Sequence, residues 1–237
     1  MKIAYLDCSN GISGDMFLAA LLDAGLNIND LRRELAKLSV SGYSVSLKKS
    51  RAGGVRTSRL VVKVNRPQYL RHLPDIRRII SKSALAPAVK KRAARIFTRL
   101  ARAEAKVHGC KINEVHFHEI GALDTIIDIV GVVWGLHQLG IKKLFCSPVN
   151  VGSGTVKIAH GIFPVPAPAT AELLKNIPYY QSAVKQELAT PTGAVLIAEL
   201  SSGFEPWPKM AVESIGQSSG SRQVPGHVNL FRLLIGK

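Results

Sequence analysis

The sequence predicts a mixed α/β fold, a partly antiparallel sheet with flanking helices. Three observations carry this. Apolar runs of strand length alternate with segments of helical period. Two strand pairs, one over 43–64 and one closing the chain, are joined by connections that suit antiparallel neighbours. A hydrophobic content of 46% over 237 residues is ample for the packed core of one large domain or two small ones.

Ile3-Ala4-Tyr5-Leu6 is a near-continuous apolar run, as in a buried strand. It leads into a loop that carries Gly11, Ser13, Gly14 and Asp15, after which Phe17 to Ala24 reads as a helix stopped by Gly25. Strand, glycine loop and helix together offer backbone N–H groups to a phosphate. Those four loop residues are therefore candidate ligand contacts. The loop matches neither a Walker A nor a Gly-x-Gly-x-x-Gly sequence. A tight turn with Ser13 or Asp15 capping the helix is the competing reading. Asp15 also argues against a bare phosphate unless a cation mediates.

Leu31, Leu35 and Leu38 mark a second helix after Asn29-Asp30. Tyr43 to Lys49 and Ser58 to Val64 alternate in polarity around Ala52-Gly53-Gly54, a strand pair with a glycine turn. Asn65-Arg66-Pro67 breaks the second strand, and Pro67 to Pro74 reads as a linker. Pro87 opens a long helix to about Val107. Its apolar seam is Val89, Ala93, Ile96, Leu100, Ala103 and Val107; Lys91, Arg95, Arg99, Arg102 and Lys106 form a basic stripe. Arg95 and Arg99 are candidate contacts for an anionic ligand, against the plainer reading of a solvated face.

The most informative stretch runs from Val115 to Asp128. It holds His116, His118, Glu119, Asp124 and Asp128. His116 and His118 are two apart, so an extended backbone would point both rings to one side. Asp124 and Asp128 are four apart, so a helix would stack both carboxylates on one face, which Gly131 and Gly135 continue. Imidazole plus carboxylate suits nickel, zinc, iron or cobalt better than magnesium or calcium. The spacing is no zinc-finger or His-Glu-x-x-His pattern, so it does not name the metal. A purely structural polar cluster is the alternative, with Asp124 serving the helix dipole.

Ile126 to Leu139 continues as a helix ended by Gly140, and Leu144-Phe145-Cys146 is a strand. Gly152-Ser153-Gly154 is either a phosphate-approaching loop or a bulge. His160 precedes a proline-rich entry to a helix over Ala169 to Lys175. Thr190-Pro191 caps and opens another helix. Lys209 to Ile215 and Val228 to Ile235 close the sheet, with 216–226 as the loop between them.

Charge is lopsided. Residues 48–106 hold eighteen Lys/Arg and only Asp75 and Glu104 as acids, so the net +16 of the chain resides there. No apolar run approaches the ~20 residues of a membrane span. Asp7 comes too early for a signal peptide. Three scattered cysteines predict no disulfide framework, and the expectation is a cytoplasmic protein without membrane contact.

Several segments coincide with one family. They are Leu6-Asp7-Cys8…Gly11-Ile12-Ser13-Gly14-Asp15-Met16, Ala103 to Gly109, Val115 to Ala122 with Asp124, Gly152 to Thr155, Ala159-His160-Gly161, Pro164 to Thr170, and Thr190 to Ala194. In this order they resemble the LarC nickel-insertion protein family over residues 1–237, with a basic subsegment at 43–107. The resemblance implies a CTP-dependent nickel chelatase (cyclometallase, lyase class). Such a protein inserts nickel into pyridinium-3,5-bisthiocarboxylic acid mononucleotide, yielding the nickel-pincer nucleotide of lactate racemase. On the matching motifs, His116, His118 and His160 are expected to relay nickel. Glu119, Asp124 or Asp128 is expected to accept the proton lost from carbon. Gly14 and the Gly152–Gly154 loop are expected to cradle the substrate phosphate. The family's C-terminal region, which holds CTP with a divalent metal, is expected to be supplied as a further domain or a split partner chain, and the working form is expected to be a homo-oligomer. Two departures stand out: only His72 remains of a histidine-rich tract expected at Pro67 to His72, and the loop at Gly216–Gly220 lacks an aromatic. Two rival readings are a basic nucleic-acid-binding α/β domain and a nickel metallochaperone without catalysis.

Overall fold

Ile3–Asp7 forms β1, an interior strand with a neighbour on either side, and Ala4 to Asp7 are buried. The computed structural model describes residues 1–65, 71–115, 123–204, 207–221 and 226–237. The six-stranded sheet is completed by β2 (Tyr43–Ala52), β3 (Val55–Val64), β4 (Lys143–Cys146), β9 (Val212–Ser218) and β10 (Phe231–Gly236). Its order is β2-β3-β9-β10-β1-β4. β1 pairs antiparallel with β10 and parallel with β4, β2 with β3 and β9 with β10 are antiparallel, and β3 meets β9 parallel at Ser58 and Ser218. Small two-stranded sheets join β5 (Val149–Asn150) to β8 (Tyr179–Tyr180) and β6 (Thr155–Ile158) to β7 (Gly161–Pro164).

Helix α1 (Gly14–Asp23) is the centre of the core. Met16 to Leu22 are all buried, the mark of a helix covered on every side. The sheet lies against it through β3, β9 and β10, and α5 (Leu123–Gln138) packs against it as well. Leu123 is buried, as is every residue from Thr125 to Leu136. Gly131 and Gly135 make that packing possible: a Cβ on Gly131 would lie 2.6 Å from Leu18 Cδ2, and one on Gly135 2.9 Å from Leu26 Cδ2. What approaches these glycines is leucine side chains of the same chain. The remaining helices are α2 (Ile28–Ala36), α3 (Leu73–Lys82), α4 (Pro87–His108), α6 (Pro168–Leu173) and α7 (Pro191–Leu200). Among these, α4 packs on α3, α5, α6 and α7 through Val89, Ala93, Ile96, Leu100 and Ala103, whereas Val107 is exposed.

Three expectations need correction. The residues after Pro74 form α3, whose buried Leu73, Ile76 and Ile80 repeat at helical spacing. Asp75 Oδ2 accepts the His72 N–H at its start, so Pro74 opens a helix rather than ending a linker. Helix α2 is capped by Asn27, two residues earlier than expected, through hydrogen bonds from the N–H groups of Asn29 and Asp30. Gly216 to Ser218 belong to β9, not to a loop. Gly216 sits mid-strand because a Cβ there would be 1.9 Å from the Ala20 carbonyl oxygen of α1.

Candidate functional site

The loop from β1 to α1 is latched from several sides. Cys8 N–H donates to Ser147 Oγ (2.9 Å), and the Cys8 carbonyl accepts from Gly11 N (2.9 Å) and Asn150 N (3.1 Å). Ile12 N donates to Leu188 O at 2.9 Å, and Thr190 N returns a bond to Ile12 O at 3.0 Å. Gly11 has φ +87°, and a Cβ on it would lie 2.1 Å from Leu188 O. The chain therefore passes so close to its neighbour that only glycine fits. The Gly11 and Ile12 N–H groups are spent inside the protein and are not open to a ligand.

The first turn of α1 opens on a cleft of about 510 Å³, lined by Ser13, Gly14, Asp15, Arg59, Asp124, Asp128, Glu187, Thr190, Thr192 and Ser221 among others. A smaller cleft of about 200 Å³ shares Ser13, Asp15, Glu187, Thr190 and Ser221 with it. Four acids face Arg59, the one basic residue among the described lining. Gly14 presses on Asp128: a Cβ there would be 2.6 Å from Asp128 Oδ2 and 2.7 Å from Thr192 Cγ2. Ser13 Oγ donates to Asp15 Oδ1. Thr190 caps α7, its hydroxyl accepting from Gly193 N at 3.2 Å.

Asp128 is the unusual member. It is 8% exposed, and its Oδ1 is buried with no hydrogen-bond partner among the described residues. A buried carboxylate left unpaired is costly, so burial first, and then the charges of Asp15 and Asp124, push its pKa well above the usual carboxylate range. Asp124 is raised too, by burial in the cleft wall and by Asp15, against the Thr125 N–H that donates to its Oδ1 at 2.8 Å. Its side chain reaches solvent, so the larger perturbation rests on Asp128.

This has a testable consequence for stability. The folded state holds the Asp128 proton more tightly than the unfolded chain does. Between the ordinary aspartate pKa of ~3.9 and the raised folded value, stability therefore falls as pH rises. Asp128→Asn removes that penalty. Urea midpoints across a pH series should show the variant gaining on the wild type as pH climbs through this window. A difference independent of pH would mean that Asp128 carries no buried charge.

The other residues selected from the sequence lie elsewhere. Gly152 N donates to Asn150 Oδ1 (3.0 Å) and Ser153 N to Val184 O (2.9 Å), and a Cβ on Gly152 would be 1.8 Å from Gln186 O. Gly154 accepts from Val165 N at 3.0 Å. This segment packs against 184–188, next to Glu187 of the cleft. His160 is exposed in the turn between β6 and β7, its ring 4.8 Å from that of His108, whose Nε2 is 3.4 Å from Glu104. Arg95 and Arg99 lie on α4 beside Glu199, lining a different cleft. His116, His118 and Glu119 lie outside the described residues. Among the described residues, no three His, Cys, Asp or Glu side chains converge to hold a metal ion. Sequence reasoning missed Arg59, Glu187 and Thr192, which come from a strand, a loop and a helix turn far from the aspartates in the chain. Only the Thr190-Pro191-Thr192-Gly193 cap hinted at one of them.

The chain matches a family model described as nickel insertion protein over residues 4–237. The pyridinium-3,5-bisthiocarboxylic acid mononucleotide nickel insertion protein of Desulfitobacterium hafniense (strain DSM 10664 / DCB-2) is 50% identical over 239 residues, covering 100% of this chain and 59% of its own length. Putative nickel insertion proteins of Geotalea daltonii (48% identical) and Syntrophobacter fumaroxidans (46% identical) each cover 100% of this chain and 61% of their own length. The chain thus spans about 60% of the length of the curated relatives it matches. No solved structure matches it significantly. No described helix is long and apolar enough to cross a membrane.

Proposed function

The chain belongs to the nickel insertion protein family, and from that premise we propose that it inserts nickel into pyridinium-3,5-bisthiocarboxylic acid mononucleotide, the substrate named for the Desulfitobacterium relatives. The product is the nickel-pincer nucleotide of lactate racemase, and the reaction is a CTP-dependent cyclometallation, as the motif resemblance implies. The observation that carries this reading is Asp128, a buried carboxylate with an unpartnered oxygen in the wall of an acid-lined cleft.

Nickel is substrate here. It binds between the two thiocarboxylate sulfurs, a Ni–C bond forms, and the ring C–H gives up its proton. A base must take that proton, and a carboxylate whose pKa is raised above the usual range by burial is suited to do so. Asp128 has that character, and Asp124, one turn away and open to solvent, passes the proton outward. Arg59 and the start of α1, which line the same cleft, hold the substrate phosphate. Ser13 and Thr192 supply hydroxyls to orient it. His116, His118 and His160 deliver the metal, and Glu119 is a further acceptor. No residue of the acid cleft is assigned to CTP or its divalent metal.

The test is to incubate the chain with nickel, CTP and the bisthiocarboxylated mononucleotide, with and without the remaining region of the relatives added as a second polypeptide. The nucleotide is then weighed by mass spectrometry. Nickel-bearing nucleotide that has lost a proton is the expected product. Nickel retained on the protein with no metallated nucleotide in either arm would replace this reading with that of a metallochaperone.

A further inference from the structure

The second cleft, an open groove on α4 of about 480 Å³, is lined by Arg77, Arg95, Thr98, Arg99, Arg102 and Glu199. Four guanidinium groups thus face one carboxylate. Three of them are already positioned. Arg77 Nη2 donates to Thr98 Oγ1 at 3.0 Å, and Thr98 Oγ1 in turn donates to Ala94 O at 2.6 Å. Arg99 Nη1 donates to Ala198 O at 2.6 Å, satisfying a carbonyl in the last turn of α7. Arg95 Nη2 is 2.6 Å from Glu199 Oε1, and Arg99 Nη1 is 3.6 Å from Glu199 Oε2. Glu199 is largely buried, so it is a fixed counter-charge between two arginines.

We infer that this cleft binds a compact polyphosphate, such as the triphosphate end of a nucleotide. The inference is independent of the nickel reading. Arginine, unlike lysine, presents a planar fork that bonds phosphate oxygens in pairs. Four forks converging from α3 and α4 hold a surplus of positive charge that linked phosphates neutralise. The groove is open to solvent and of small-ligand size. Among the described residues no aromatic side chain lines the cleft, so they offer no platform for stacked bases, which argues against single-stranded nucleic acid. Glu199 competes with the incoming anion for Arg95 and Arg99. Paired with both, it keeps the arginines from repelling one another, and on binding its contacts give way to phosphate.

That competition gives two substitutions of opposite sign. Calorimetric titration of the chain with inorganic tripolyphosphate should show saturable binding that weakens with added salt. Arg102→Gln should weaken it about tenfold, the loss of one charge-assisted contact. Glu199→Gln should tighten it severalfold, whereas a purely structural Glu199 would leave affinity unchanged or reduce it. Circular dichroism melts confirm that both variants are folded, and nickel retention should be unaffected in both. No binding of tripolyphosphate, or affinity indifferent to both substitutions, overturns the assignment. So does tighter binding of an RNA oligonucleotide that grows with its length, which would make α4 a nucleic-acid surface.

Discussion

Replacing Asp128 with asparagine should slow formation of the nickel–carbon bond by roughly 10²–10⁴-fold, the range removed with a positioned general base. The substitution keeps the shape of the side chain and removes its ability to take a proton. It also removes a buried carboxylate that has no partner for one oxygen, so the fold should be no less stable than before. Lost activity without lost stability separates a catalytic role from a packing role. The pH dependence makes the test sharper. In the wild type, single-turnover rates should fall as pH drops through the raised pKa of Asp128, because the protonated acid accepts nothing. In Asp128→Asn that acidic limb should vanish, leaving a low, flat profile. Asp124→Asn should cost less, because Asp124 reaches solvent and water can replace it. A wild-type rate in Asp128→Asn would remove Asp128 from the chemistry.

The parts legible in the sequence were those set by local period. The alternation of 43–64 predicts β2 and β3, and their register runs from Tyr43 paired with Val64 to Ala52 paired with Val55. Asp124 and Asp128, four apart, do share one cleft, because a helix brings i and i+4 onto one face. What the sequence could not show are groups that only tertiary folding brings together. Arg59 reaches the cleft from the middle of β3, and Glu187 from the segment that pairs with Gly152. Arg95 and Arg99 read correctly as one basic stripe, but nothing local announces Glu199 between them. Helix α3 is not legible locally because Pro74, which reads as the end of a linker, sits inside its first turn, where proline is tolerated. Gly216 reads as loop for a similar reason: glycine in a strand marks a close approach, and its partner, the Ala20 carbonyl, lies on α1.

The same reasoning applied to Gly11 gives the largest stability effect. Alanine there meets two separate costs. One is the left-handed backbone, φ +87°, worth ~1–2 kcal/mol for a residue with a Cβ. The other is steric: the new Cβ would sit 2.1 Å from Leu188 O, a backbone atom held by the Ile12 N–H bond. The loop must move away, and it then loses the Ile12–Leu188 and Thr190–Ile12 hydrogen bonds, each worth ~1 kcal/mol. The total is roughly 3–5 kcal/mol, in the range where small domains unfold. Gly25 is the control. Its φ is +117°, but nothing lies within 4 Å of a Cβ there, so Gly25→Ala meets only the backbone cost. Urea unfolding of both variants measures the difference. A gap of ~2 kcal/mol or more in favour of Gly25→Ala assigns the excess to the contact with Leu188. Equal losses would mean that the loop yields freely, and that the latch from Cys8 to Thr190 does not fix the first turn of α1 over the acid cleft.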